Sequence, residues 1–144
     1  MLKFSELDKE SWEELHLYLD TCLIPVTGLT GTEAPYEVVE ALERLRDMMD
    51  LVEVPFKGRV VTYPSFQYGN EEITEFINEI CHNVKRSGFK YVIVISADVD
   101  LNNTTLNNAD LVLIPSALTD FSKGGKQQAV HEKIQGLWQQ KNEL

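Results

Sequence analysis

The stretch Gly88-Phe89-Lys90-Tyr91-Val92-Ile93-Val94-Ile95-Ser96 decides the fold. Gly88 supplies the left-handed stop that ends a helix. Tyr91 to Ile95 is apolar on both faces of an extended chain. A strand needs that pattern when helices cover both sides of its sheet, so this one belongs in the middle of a parallel sheet.

Working upstream, Ile73, Phe76, Ile77, Ile80 and Val84 form the buried stripe of a helix. Asn70 caps it, Glu71 and Glu72 suit its first turn, and Lys85 and Arg86 suit its last. Thr21 to Val26 reads as an apolar strand whose end Pro25 marks. The next stretch is a loop holding Gly28 and Gly31, then a helix with Thr32 as cap and Pro35 in its first turn. Its inward stripe is Val38, Leu42, Leu45 and Met49, and its outer face carries Glu37, Glu40, Glu43, Arg44 and Asp47. Ser11 to Asp20 is a first helix, with Ser11 and Glu14 spaced as a capping box. Val52 to Phe56 and Arg59 to Tyr63 are short β-rich runs that form either a hairpin about Lys57-Gly58 or one bent edge strand.

Downstream, Leu111 to Ile114 is another apolar strand, ended by Pro115. A last helix runs from Lys126 to Lys141, with Val130, Ile134, Leu137 and Trp138 inward. Strands alternating with helices predict an α/β protein: a three-layer α/β/α sandwich around a mainly parallel sheet, with residues 1–144 as a single domain.

Composition narrows the function. The 144 residues carry 13 Lys and Arg against 23 Asp and Glu, a formal charge of -10. That balance lacks the basic stripe of a nucleic-acid binder. No apolar run reaches the roughly 20 residues that span a bilayer, and no secretory signal is visible, so a cytoplasmic protein without membrane insertion is expected. Cys22 and Cys81 are too few for a disulfide framework and read as buried thiols.

In a parallel sheet, ligands sit beyond the carboxyl ends of the strands. Three polar stretches qualify: 27–32, 96–100 and 115–120. The candidate ligand-binding crevice therefore comprises Thr27, Gly28, Thr30, Thr32, Ser96 and Ser116. Backbone N–H groups of the first stretch could hold an anion at a helix start, although the lysine of a phosphate-binding loop is missing. Asp98 and Asp100 follow the central strand, a spacing that can aim two carboxylates at Mg²⁺ or Mn²⁺. His16, His82 and His131 are scattered over helices, and Ser65, Ser96 and Ser116 lie outside any nucleophile elbow. No catalytic residue is assigned and no cofactor is expected, with Mg²⁺ or Mn²⁺ as the alternative.

Two resemblances follow from these residues. Tyr18-Leu19-Asp20-Thr21-Cys22-Leu23-Ile24-Pro25, Gly58-Arg59-Val60-Val61 and Gly88-Phe89-Lys90 resemble the YpiF-like family of uncharacterised Firmicute proteins. Over roughly 23–100, the chain is also similar in layout to the creatininase family. Leu23-Ile24-Pro25-Val26 matches that family's first strand, and Ser87-Gly88-Phe89 with Tyr91 to Ile95 matches its later helix end and strand. The creatininase loop supplies Glu, His and Asp to two metal ions. Here that loop has Thr30 and Thr32 and no His, and the later metal-binding His falls near Asp98. The resemblance thus implies a shortened creatininase-like fold that has lost its metal ligands.

These features favour a non-catalytic binding or assembly module, with a protein partner or a homo-oligomer through aromatics such as Trp12, Tyr18, Phe121 or Trp138. The alternatives are a metal-dependent hydrolase or a phosphate or nucleotide sensor in the same crevice.

Overall fold

Local hydrogen bonding and helix period explain most element boundaries in the computed structural model. It describes residues 2–69, 73–101, 105–118 and 125–142, without the side chains of 140–142. In chain order the elements are β1 (Leu2–Lys3), α1 (Lys9–Leu15), β2 (Thr21–Leu29), α2 (Pro35–Glu53), β3 (Val60–Thr62), β4 (Phe66–Tyr68), α3 (Ile73–Arg86), β5 (Tyr91–Ser96), β6 (Leu111–Leu113) and α4 (Gly125–Asn142). The expected cap Asn70, with Glu71 and Glu72, lies outside the described residues, as does Phe121.

The sheet runs β1-β3-β2-β5-β6, with β4 pairing the far half of β2. Every pair is parallel. β5 is buried at every residue and lies between β2 and β6, the central position its composition demanded. One face packs Leu23, Tyr91, Ile93, Ile95 and Leu113 against Met48 and Val52 of α2 and Val130, Ile134 and Trp138 of α4. The other packs Cys22, Ile24, Val92, Val94 and Val112 against Ile77, Cys81 and Val84 of α3, with Trp12 and Leu15 of α1 beside them. The expected α/β/α layering is present.

Several boundaries differ from the sequence reading. Pro25 does not end β2, which continues to Leu29 through Thr27 and Gly28. In a parallel strand, alternate residues address opposite neighbours. The odd-numbered residues of β2 face β3 and β4: Leu23 O accepts from Tyr63 N at 2.8 Å, and Leu29 O from Gly69 N at 3.2 Å. Pro25 therefore turns its missing N–H toward the gap between the end of β3 at Thr62 and the start of β4 at Phe66, where no partner is lost.

Val52 to Phe56 is no strand. Val52 continues the buried helical stripe Ala41, Leu45, Met48 and Val52, so the helix period overrides the β-rich composition. That stripe is rotated from the expected one, and Leu42 is 38% exposed. With no strand at 52–56, the hairpin about Lys57-Gly58 is absent, and strand structure falls within residues 60–68. These residues form two short strands, both parallel to β2 and separated at Tyr63-Pro64-Ser65, while β1 covers the outer edge of β3.

Helix starts also shift. Asp8 caps α1, accepting from Ser11 N at 2.8 Å while Ser11 Oγ accepts from Asp8 N at 3.0 Å, so Ser11 is the third helical residue and not the cap. Ala34 precedes α2, and Glu37 reaches back to its N–H at 2.9 Å; Thr32 is not the cap. On α3, Phe76 is 53% exposed, and Thr74 and Cys81 take the buried positions beside Ile77 and Val84.

Candidate functional site

The chain leaves β2 through α2 toward β3 on one side. It returns through α3 to β5 on the other side of β2. The connections diverge there, and that divergence opens a crevice beyond the carboxyl ends of β2 and β5. The sequence-predicted stretches 27–32 and 96–100 both lie at this point.

The crevice is occupied by the protein's own groups. Ser96 is fully buried. Its Oγ donates to Val26 O at 2.7 Å and accepts from Val99 N at 3.1 Å, which ties the two strand ends together. Gly28 has φ +85°, and a Cβ there would collide with Val99 Cγ2, so the Val99 side chain lies directly over the glycine. Thr27 is buried and its Oγ1 donates to Gln67 Oε1 at 3.0 Å, fastening β2 to β4.

The backbone donors expected to hold an anion already hold one. Glu33 Oε2 accepts from Thr30 N and Glu33 Oε1 from Gly31 N, each at 2.9 Å. Thr30 Oγ1 also lies 3.2 Å from Glu33 Oε2 and 2.7 Å from Thr32 Oγ1. These donors, the Thr30 N–H foremost, hold the Glu33 carboxyl below its ordinary range.

Asp98 and Asp100 have different partners. Arg44 Nε and Nη2 each donate to the Asp98 carboxylate at 2.9 Å, a two-pronged pair. That carboxylate raises the Arg44 guanidinium above its ordinary value. Asp100 instead accepts from Ser116 Oγ at 3.1 Å. Among the described residues, no group of three or more His, Cys, Asp or Glu side chains is placed to hold a metal ion.

Open space lies one step sideways. A cleft of about 310 Å³ is lined by Arg44, Asp47, Met48, Leu51, Ala97, Pro115 and Lys126. It sits between α2 and the start of α4, past the ends of β5 and β6. Sequence reasoning assigned Arg44 and Asp47 to a solvated helix face and missed this cleft. The available signal was faint: Met48 and Leu51 flank the charges at helical spacing.

Chemically, this arrangement sets a strand rim hydrogen-bonded to the protein's own groups beside a small cleft of mixed charge. Such a rim defines a doubly wound α/β protein whose switch point is filled from within. The chain belongs to the family described as protein of unknown function (DUF2487), whose model matches residues 10–141. No curated protein matches the chain. No solved structure matches it either. Among the described residues, no helix is long and apolar enough to cross a membrane.

Proposed function

We propose that this protein is a non-catalytic cytoplasmic binding or assembly module derived from a creatininase-like fold, and a member of the YpiF-like group. The observation that carries this reading is the Glu33 carboxylate seated on the Thr30 and Gly31 N–H groups. A substrate anion entering there would have to displace a tethered one. The bidentate Arg44–Asp98 pair supports it further, since a cation at Asp98 would have to compete with a guanidinium. Creatininase-like descent draws support from β2 beginning Thr-Cys-Leu-Ile-Pro-Val and from Ser87-Gly88-Phe89 leading into the adjacent β5. The assembly role draws support from Tyr36 and Val39, which are more than half exposed among the acids of α2.

Thermal unfolding with and without millimolar Mg²⁺ or Mn²⁺ tests the reading. No rise in Tm is expected. A metal-dependent rise that Asp98→Ala abolishes would restore the metal-dependent hydrolase.

A further inference from the structure

We infer that the cleft between α2 and α4 binds a small zwitterion with an apolar side group, the chemistry of an apolar α-amino acid. The inference rests on the non-catalytic reading above and supplies its ligand class.

The lining carries three kinds of group, and this ligand chemistry uses all of them. Met48, Leu51, Ala97 and Pro115 give an apolar wall. Lys126 and Arg44 give cationic donors for a carboxylate, and Asp47 gives an acceptor for an ammonium. Arg44 is already held by Asp98 through Nε and Nη2, which fixes the guanidinium while Nη1 keeps its donors. Lys126 forms no ion pair among the described residues.

Charge selects the class. Asp98 offsets Arg44, and Asp47 offsets Lys126, so the cleft as a whole is close to neutral. A simple anion would meet Asp47, and a simple amine would meet Lys126. A zwitterion satisfies both. The volume of about 310 Å³ is near the lower bound for ligand sites. At ~30 Å³ per water it equals roughly ten water molecules, which suits a single amino acid. The position fits as well, since it lies beyond the carboxyl ends of β5 and β6.

The test is a titration of the ¹⁵N-labelled full chain with L-leucine, N-acetyl-L-leucine and 3-methylbutylamine. Leucine should bind saturably, with amide shifts at Met48, Leu51 and Ala97. Each analogue lacks one charge and should bind about tenfold more weakly or worse. Lys126→Gln and Asp47→Asn, both exposed, should each weaken leucine by a similar factor while leaving the unfolding temperature unchanged. Absence of saturation, equal affinity for N-acetyl-leucine, or leucine affinity unmoved in both variants would overturn the inference. The non-catalytic reading fails on a different readout, metal-dependent stabilisation through Asp98.

Discussion

The Arg59 guanidinium carbon lies 3.8 Å from the centroid of the Trp138 ring, while its Nε and Nη2 donate to Asp20 at 2.8 and 3.0 Å. Trp138 Nε1 in turn donates to Thr21 Oγ1 at 3.1 Å, and Thr21 Oγ1 to Asp20 Oδ1 at 3.0 Å. This closed set fastens the end of α4 to the amino end of the sheet, opposite the candidate site. Nothing local in the sequence joins these residues, since Trp138 and Thr21 are 117 positions apart.

Removing Arg59 should therefore loosen α4. A cation–π contact contributes about 0.5–2 kcal/mol and a partly exposed ion pair about 0.2–1 kcal/mol. Arg59→Ala should lower unfolding stability by about 1–2 kcal/mol in urea titrations. Arg59→Lys should recover less than half of the loss, because an ammonium cannot reproduce the fork to Asp20. Full recovery by lysine would contradict this account.

Gly28 is held to glycine for two reasons, its φ of +85° and the Val99 side chain above it. Gly28→Ala should cost about 2–4 kcal/mol, combining left-handed strain with overpacking. The double variant Gly28→Ala/Val99→Ala should be more stable than the sum of the two single losses implies. Strict additivity would show that Val99 does not fill the space over Gly28.

Glu33 makes a pH-dependent contribution. Its folded pKa lies below the unfolded value because the Thr30 and Gly31 N–H groups favour the ionised form. The contribution is present above the unfolded value, about 4.3, and is lost as pH falls through the folded value. Urea midpoints for the wild type and Glu33→Gln should differ at neutral pH and converge as the solution is acidified. A gap that persists unchanged to low pH would show that the carboxylate is not bound as described.

The two thiols should be inert in the folded protein. Cys22 and Cys81 are both fully buried. Burial pushes the Cys81 thiol up to about 11, and raises Cys22 further. A thiol-specific chromogenic reagent at pH 8 should therefore react with neither until denaturant is added. Immediate reaction of one thiol in the native state would contradict the packing of β2 against α3.

Much of the architecture was legible because its signals are local. Tyr91 to Ile95 reads as a central strand from composition alone, and Val130, Ile134 and Trp138 mark the inward face of α4 by spacing. The errors occur where a neighbour in space changes what a residue needs. Pro25 reads as a strand end only until the gap between β3 and β4 is known. Val52 reads as β-rich only until the core claims it for the stripe of α2. The candidate loops were legible as places, since the carboxyl-end rule needs only element order. Their contents were not: Asp98 meets Arg44 across 54 positions, and Ser96 meets Val26 across 70.

By itself, then, the amino-acid order determined the alternation of helices and strands, the buried central strand and the absence of a paired catalytic motif. Each of these follows from side-chain period or from chemistry within a few residues. Tertiary structure alone decided that the strand ends are laced shut by Ser96, covered by Val99 and neutralised by Arg44, with open space displaced toward Lys126. The reason is geometric: crossover connections bring distant loops together, and only their meeting determines which polar groups remain for a ligand.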